Sequence, residues 1–409
     1  MIKIIHIADT HLGYRQYFSD IRKKDFFNSF EFIINEAIIH NVDAIVHAGD
    51  LFNSKNPTLD DIIQTIKILQ KLKINNIPFL CIVGNHEIKE NNQWIDLLEQ
   101  MNLSIKLTHK PFKLIDENLK INIYGIDYFS KFKFQNILFE KYLLDKEANY
   151  NILVMHLLLS PLIINSTISY LDILKKINID FDLLLLGDSH KNDCKILTYF
   201  SNINGIKKKC YLTYSGSTER CSSSEVQKRY YNFITFQSTS INIEKKEIPT
   251  RDFIFITILC KKNDNFEKIN SYIAKEIINK KEKILNSIIF LKLIGNNNIL
   301  INKNLIEEIF IDHGACIINI IDQRTEYYEN IQKVTYNNIS FQNLKEIIFN
   351  LLKKININSC CQLINKEILN INISKNQLND NIENILFDSI NNNSLMKNYE
   401  NKALNTKKF

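Results

Sequence analysis

The sequence predicts an α/β fold in which β-sheet is flanked by helices, and three observations support this prediction. Five short apolar runs have the length and composition of buried strands. Segments with the apolar period of an amphipathic helix separate the first three runs. After about residue 248 the pattern changes to a smaller α+β unit, and after about residue 340 it changes again to short amphipathic helices.

The first three strands are predicted at residues 1–7, 42–46 and 79–83, with helical stripes between them at 26–38 and 62–72. A strand-helix-strand-helix-strand order produces parallel neighbouring strands with right-handed crossovers. The loops that follow these strands therefore gather along one edge of a sheet. Two further strands are predicted at residues 151–155 and 182–186.

Each of the five predicted strands leads into a short polar motif. The motifs are Asp9-Thr10-His11, Gly49-Asp50, Gly84-Asn85-His86-Glu87, His156 and Gly187-Asp188-Ser189-His190. Carboxylates, imidazoles and an amide form the mixed oxygen and nitrogen donor set that suits two divalent cations bound close together. We therefore expect the motifs to meet in one site for phosphoester chemistry.

The glycines support a shared site. Five of the nine glycines in the chain lie in the motif loops, at positions 13, 49, 84, 187 and 216. A chain this poor in glycine is expected to keep it where the backbone turns tightly or where other groups approach closely.

Composition sets wider limits. The chain has 409 residues, a formal net charge of +6, 45% hydrophobic and 23% charged residues, as expected for a soluble protein of two or three domains. No membrane segment is predicted, and residues 1–7 are predicted to be a strand rather than a signal peptide. The expected location is the cytoplasm, in association with the nucleoid, or the nucleus of a eukaryote.

The eight cysteines include no Cys-x-x-Cys pair, so neither a zinc module nor a disulfide framework is indicated.

Four segments together resemble the meiotic-recombination-eleven/SbcD family of double-strand-break repair nucleases, which are calcineurin-like metallophosphoesterases. They lie at residues 9–17, 47–52, 84–87 and 214–220, and they are closer to the archaeal and eukaryotic branch than to the bacterial one. A protein phosphatase of the same class would carry Gly-Asp-x-Val-Asp-Arg, whereas this chain has Gly49-Asp50-Leu51-Phe52-Asn53-Ser54. This difference favours a nuclease.

The resemblance implies a domain organisation and a function. The implied domains are a nuclease domain at residues 1–247, built as a β-sheet sandwich flanked by helices, a DNA-capping domain at 248–335, and a linker with a helical partner-binding tail at 336–409. The implied activity is metal-dependent exonuclease and endonuclease cleavage of DNA. Because the chain has no phosphate-binding loop of the Gly-x-x-x-x-Gly-Lys-Ser/Thr type, the implied ATPase is a separate SMC-like protein of the Rad-fifty/SbcC type.

The resemblance also implies roles for individual residues. Manganese is the usual cation of the family, and the implied ligands are Asp9, His11 and His190 for the first cation, Asn85 and His156 for the second, and Asp50 between the two. The implied catalytic residue that does not bind metal is His86, which would contact the phosphate. Tyr14, Arg15 and Tyr17 are candidate DNA contacts, with a purely structural loop about equally expected. A homodimer is implied through the segments 62–72 and 93–101.

One departure from the family pattern concerns the metal site. The family places a histidine where this chain has Asp188, which can bind the same cations but has a shorter reach. Together with Asp9 and Asp50, it would set three negative charges against the four positive charges of two divalent cations. We expect tighter metal retention and weaker Lewis acidity.

Two other functions remain open at this point. The chain could hydrolyse small phosphoesters or nucleotides, or it could be a DNA-binding scaffold whose site Asp188 has weakened. The helices after residue 340 could likewise pack on this chain rather than on a partner.

Overall fold

The computed structural model describes residues 1–324, apart from 131–133, 135–141, 143–146, 165, 167 and 202. All of them belong to one compact unit, Met1–Glu326, and a second unit, Tyr327–Phe409, lies outside the described residues, as do the amphipathic segments predicted after residue 340. In chain order the elements are β1 (Ile2–Ile7), a 3₁₀ turn (Gln16–Phe18), α1 (Asp20–Ile39), β2 (Ala44–His47), α2 (Leu59–Ile74), β3 (Phe79–Cys81), α3 (Trp94–Gln100), β4 (Ile105–Lys106), β5 (Phe112–Asp116), β6 (Leu119–Ile126), β7 (Tyr150–His156), α4 (Tyr170–Lys176), β8 (Leu183–Gly187), β9 (Asp193–Phe200), β10 (Lys207–Tyr214), β11 (Arg229–Phe236), β12 (Ile241–Ile248), β13 (Phe253–Cys260), α5 (Phe266–Asn279), α6 (Lys281–Ile284), β14 (Ile288–Gly295), α7 (Lys303–Asp312) and β15 (Ile317–Arg324).

The strands form three sheets. The first has the order β12-β11-β1-β2-β3-β4, and the second has the order β5-β6-β7-β8-β10-β9. Strands β1 to β4 are mutually parallel, as predicted for the first three, and so are β6, β7, β8 and β10. The five strands that precede the motifs are thus divided between two sheets.

The first two sheets share a core. Alternate residues of both sheets, among them Ile4, Val46, Ile123, Val154 and Leu185, form one buried cluster. The opposite face of the first sheet is covered by α1 and α2, and that of the second by a cluster that includes α4. This arrangement is the predicted β-sheet sandwich flanked by helices.

Local sequence explains where the helices begin. The Ser19 hydroxyl accepts a hydrogen bond from the Ile21 amide at the start of α1. At the start of α2, Thr58 and Asp61 form a capping box, in which each side chain accepts from the other residue's backbone amide. These caps fix the points at which the chain leaves the loops that follow β1 and β2.

The third sheet, β13-β14-β15, is parallel and has a core of its own with α5 and α7. This confirms the predicted strand at 253–259, the predicted helix at 266–279 and the predicted strand at 288–293. Helices lie between the parallel strands along the chain, so the local pattern is strand-helix-strand. Arg251 Nε and Nη2 donate to both Asp25 oxygens at 2.9 Å, which joins the start of this segment to α1. The divisions predicted at residues 248 and 336 remain predictions, and the second lies outside the described residues.

None of the helices in the described part of the chain has the length and apolar character needed to cross a membrane.

Candidate metal centre

The loops after β1, β2 and β8 meet at the carboxyl ends of the parallel strands. The Asp9 amide donates to the Gly49 carbonyl at 3.0 Å, and the His11 amide donates to the Asp50 carbonyl at 3.1 Å. The Asp188 amide lies 3.2 Å from both carboxylate oxygens of Asp9. Two backbone hydrogen bonds therefore join the loops after β1 and β2, and the Asp9 carboxylate joins the loop after β8 to them.

Four of the predicted ligands have a left-handed backbone conformation. The φ angles of Asp9, His11, Asp50 and Asp188 are 52°, 44°, 57° and 79°. Such conformations cost about 1–3 kcal/mol at non-glycine residues and persist where the surrounding structure enforces them, frequently at functional sites. The strain is thus concentrated at the residues that the motifs identify.

Two glycines are required because neighbouring atoms lie too close to leave room for a Cβ atom. A Cβ atom on Gly84 would lie 2.1 Å from Asp50 Oδ1, and one on Gly187 would lie 2.1 Å from the Ala48 carbonyl oxygen. Both distances are far below van der Waals contact. The prediction that the motif glycines allow close approach is confirmed at these positions.

His156 lies at one end of the centre, between Asp50 and Asn85. Its Nδ1 donates to the Ala48 carbonyl at 2.7 Å, so that Nε2 faces the other candidate ligands. Nε2 is 2.8 Å from Asn85 Oδ1 and 3.4 Å from Asp50 Oδ2. It is 3.9 Å from Asp9 Oδ1 and from Asp188 Oδ1. Asp188 therefore lies within the same cluster of donor atoms as His156.

His11 and His190 lie at the other end. Their Nε2 atoms are 3.2 Å apart. His190 Nδ1 donates to Glu225 Oε1 at 2.8 Å, and Glu225 Oε2 accepts from the Cys221 amide at 3.0 Å and from Arg229 at 3.1 Å. A carboxylate that orients a ligating histidine in this way fixes its tautomer and its ring position. Glu225 was not predicted, because an isolated glutamate in a serine-rich segment gives no sequence signal.

Asp50 lies between the two ends. Potential donor atoms of Asp9, Asp50 and His156 lie within 4.8 Å of one another, and so do those of His11, Asp50 and His86. Asp50 is therefore the carboxylate shared by two adjacent donor groups, as a bridging ligand must be.

His86 lies at the open side of the centre. Its Nδ1 donates to the Asn53 carbonyl at 3.1 Å, and its Nε2 is 3.9 Å from Asp50 Oδ2. The side chain is 46% exposed, whereas His11 and His156 are buried. The exposed ring can reach a substrate that the buried histidines cannot.

The pKa shifts at the His156 end follow from burial and from the charges of neighbouring groups. Burial alone would lower the pKa of His156, but its hydrogen bond to Asp50 and the charges of Asp9, Asp50 and Asp188 raise it to about 10. Burial raises the pKa of Asp9 to about 6, and it also raises the pKa of Asp188. Buried carboxylates held this close together require positive charge between them.

Burial and neighbouring groups also shift the pKa values of the two histidines at the other end of the centre. Burial alone would lower the pKa of His190, but Cys221 and Glu225 raise it to about 11, whereas burial lowers the pKa of His11 to about 3. The charged His190 can thus donate a hydrogen bond from Nε2 to Nε2 of the neutral His11 ring, at the place where a cation would replace the shared proton. The residues therefore fit a pair of divalent cations.

The neighbouring polar residues are buried and hold the loops. Glu87 accepts hydrogen bonds from the amides of Leu51, Phe52 and Gly84 at 3.1–3.3 Å, so one carboxylate joins the loops after β2 and β3. Burial and the nearby Asp50 raise the pKa of Glu87 to about 7. His6 and His47 are buried, and His47 Nε2 lies 3.0 Å from the Thr10 hydroxyl.

The three candidate DNA contacts lie in the loop after β1 but in different environments. Arg15 is exposed and pairs with Asp20 at 2.9 Å. The Tyr14 ring packs against Phe26, and the Tyr17 ring packs against Phe290 of β14. The Tyr17 hydroxyl is buried without a hydrogen-bond partner among the described residues, so Arg15 is the best placed of the three for a phosphate.

Comparison with known proteins gives consistent matches. The family model described as calcineurin-like phosphoesterase matches residues 2–217. The chain is 37% identical over 395 residues to the DNA double-strand break repair protein Mre11 of Methanosarcina acetivorans, covering 94% of this chain and 60% of that protein. It is 34% identical to the Mre11 protein of Halobacterium salinarum, covering 79% of this chain and 78% of that protein. It is 31% identical to the Mre11 protein of Haloferax volcanii, covering 79% and 68%. The chain thus spans about 60% of the length of the Methanosarcina proteins it matches.

Proposed function

The chain belongs to the Mre11 family of calcineurin-like phosphoesterases, and from this membership we propose that it is a metal-dependent nuclease that hydrolyses DNA phosphodiesters at double-strand breaks. The relatives are named as DNA double-strand break repair proteins. The observation that carries the proposal is the convergence of Asp9, Asp50 and His156 with His11 and His190 around a shared carboxylate.

We assign the ligands as the resemblance to the family implies, and we place Asp188 where the family has a histidine. Asp9, His11 and His190 hold the first cation, Asn85, His156 and Asp188 hold the second, and Asp50 bridges them. Bound divalent cations would supply Lewis-acid stabilisation of the phosphoryl oxygens and acidify the water that attacks phosphorus. Mn²⁺ is our choice of cation because the resemblance to the family implies it, and because Mn²⁺ prefers the carboxylate and amide oxygens that these ligands supply.

The chain's own residues position the reaction. Asp50 is held by the His86 amide, which donates to its Oδ1 at 2.9 Å, so the bridging carboxylate is tied to the loop that carries the exposed imidazole. With Nδ1 bound to Asn53, Nε2 of His86 is the nitrogen that can contact a phosphoryl oxygen or donate a proton to the leaving oxygen.

The DNA, the ATPase and a second copy of the chain are the proposed partners. Arg15, with Tyr14 and Tyr17, is the proposed DNA contact near the centre. The proposed dimer contact is α2 with α3, where Ile63 and Leu97 are exposed apolar side chains. The SMC-like ATPase is proposed to bind the segment after residue 340, outside the described residues. A DNA substrate implies location with the chromosome, in the nucleoid or in a nucleus.

The test is Mn²⁺-dependent cleavage of end-labelled double-stranded and single-stranded DNA, beside hydrolysis of a small aryl phosphodiester. The proposal predicts DNA cleavage that is lost in Asp50→Ala and in His86→Ala. Hydrolysis of the small ester alone would favour a small-molecule phosphoesterase. No hydrolysis by the parent chain, with DNA cleavage gained in Asp188→His, would favour a scaffold with a weakened site.

A further inference from the structure

Cys221 lies against the histidine end of the metal centre. Its sulfur and one ring nitrogen each of His11 and His190 lie within 4.8 Å of one another. This spacing brings a thiol and two imidazoles close enough to surround one cation. The ligand assignment proposed above leaves Cys221 without a role.

The residues around Cys221 hold it in place. The Cys221 amide and the His190 ring donate to the two oxygens of one carboxylate, Glu225, at 3.0 and 2.8 Å. Arg229 is 5% exposed, and it donates to Glu225 Oε2 at 3.1 Å and to the His190 carbonyl at 3.0 Å. One partly buried network therefore fixes the backbone of Cys221 relative to the His190 imidazole. The Cys221 thiol itself donates to the Glu219 carbonyl at 3.6 Å.

A second observation concerns His11. Its ring is buried, and Nδ1 has no hydrogen-bond partner within the described part of the chain. Buried polar atoms are normally paired, so a buried imidazole with an unpaired nitrogen, in one cluster with a thiol and a second imidazole, can take a ligand.

The chemistry of the three groups identifies the class of ligand. Thiolate with imidazole is a soft donor set that selects Zn²⁺, Co²⁺ or Cd²⁺, whereas carboxylate and amide oxygens suit Mn²⁺ and Mg²⁺. We propose that Cys221, His11 and His190 form a soft-cation site for Zn²⁺ that overlaps the first position of the catalytic centre.

The overlap has a consequence that rests on the proposed function. The proposed Zn²⁺ site and the first catalytic position both use His11 and His190. A cation bound in one of them therefore excludes a cation from the other. Zn²⁺ held by Cys221 would occupy the histidines that the first catalytic cation needs. The chain would then respond to Zn²⁺ as an inhibitor that competes with Mn²⁺.

Co²⁺ binding tests the site without relying on catalysis. The full-length chain is freed of metal by a chelator, kept reduced with a phosphine, and titrated with Co²⁺ while thiolate-to-cobalt charge-transfer absorption is recorded. The variants are made with Cys360→Ser and Cys361→Ser in the background, since two adjacent cysteines could also bind Co²⁺. We expect the charge-transfer band in this parent, its loss in Cys221→Ser and in Cys221→Ala, and its displacement by Zn²⁺ but not by excess Mg²⁺.

Two matched variants complete the experiment. Cys194→Ser, at an exposed cysteine, is expected to keep the band. Asp50→Ala is also expected to keep it, because Asp50 is outside the soft set. A band that persists in Cys221→Ser, or no band in the parent, would overturn the proposal. A band in a chain that cleaves no DNA would refute the nuclease and leave the soft site standing.

Discussion

Glu225 controls the histidine end of the centre, and replacing it with glutamine tests that role. Its two carboxylate oxygens accept from three donors: His190 Nδ1 at 2.8 Å, the Cys221 amide at 3.0 Å and Arg229 at 3.1 Å. Glutamine preserves the shape but replaces one accepting oxygen with an NH₂ group. The glutamine side chain can take two orientations. In the first, its NH₂ group faces the Cys221 amide and Arg229, and in the second, it faces His190 Nδ1.

Both orientations weaken metal binding. In the first, donors face one another, at a cost of about 1–3 kcal/mol for the unpaired groups. In the second, His190 must take the tautomer with its proton on Nε2, the nitrogen that would bind the cation. Loss of a partner that orients a ligating histidine typically lowers metal affinity by about 10–100-fold, which corresponds to about 1.4–2.7 kcal/mol.

Mn²⁺ affinity, measured by isothermal titration calorimetry, is therefore expected to fall about 10–100-fold in Glu225→Gln. The Mn²⁺ concentration for half-maximal DNA cleavage should rise in parallel. Glu247→Gln is the matched control, because Glu247 is half-exposed and pairs with Lys228 on the surface. An unchanged Mn²⁺ affinity in Glu225→Gln would refute the view that this carboxylate orients a metal ligand.

Three further predictions concern the centre. Because the pKa of His156 is raised to about 10 and that of His190 to about 11, both bind protons at neutral pH in the metal-free chain. Mn²⁺ must displace these protons, so its affinity should increase from about pH 6 to about pH 8, with proton release seen by calorimetry in buffers of different ionisation enthalpy. Gly84→Ala should lower the free energy of unfolding in urea by about 1–3 kcal/mol or more and weaken Mn²⁺ binding, because the added Cβ would lie 2.1 Å from Asp50 Oδ1 and 2.2 Å from its amide nitrogen. His86→Ala should slow DNA cleavage at saturating Mn²⁺ by about 10²–10⁴-fold without loss of bound Mn²⁺.

Each of these has a result that would count against it. Metal affinity that does not vary with pH would mean that the two histidines are not protonated competitors of the cation. Gly205→Ala is the control for Gly84→Ala, since no atom of the described residues lies within 4 Å of a Cβ added at Gly205, and its φ of 69° alone strains the substitution. Equal destabilisation by the two would contradict the crowding argument. Loss of one bound Mn²⁺ in His86→Ala would make His86 a ligand, as its distance to His11 and Asp50 permits.

The acid-base balance also affects the stability of the metal-free chain. The pKa of His156 is raised from 6.5 to about 10 by its carboxylate neighbours. Its contribution to stability is therefore fully present below about pH 6.5 and is lost as the pH rises through about 10. Bound cations replace this contribution, so urea denaturation should show the largest stabilisation by Mn²⁺ at alkaline pH.

The strands and motifs that build the centre could be predicted because their pattern is local. β1, β2 and β3 are short, buried and rich in branched apolar residues, and parallel strands place the following loops at one edge. The sequence did not predict β5 and β9, which lie at the two edges of the second sheet and carry mixed polar side chains. Edge strands lack the continuous apolar run of a buried parallel strand.

The supporting residues of the centre could not be predicted for a different reason. Glu225 and Cys221 act through distances to His190 that only the folded loop after β10 creates. The same holds for the Ala48 carbonyl, which fixes the tautomer of His156. Sequence motifs identify groups with the right chemistry, whereas the positions of their hydrogen-bond partners depend on long-range packing.

The central claim is that the motifs form one centre in which Asp50 joins two cations. Electron paramagnetic resonance of the metal-free full chain titrated with Mn²⁺ tests it most directly, because two Mn²⁺ ions bridged by a carboxylate give an exchange-coupled spectrum. The account predicts two bound Mn²⁺ per chain, a coupled spectrum at saturation, and loss of the coupling in Asp50→Ala. A single isolated Mn²⁺ signal at saturation, or coupling that survives in Asp50→Ala, would contradict it.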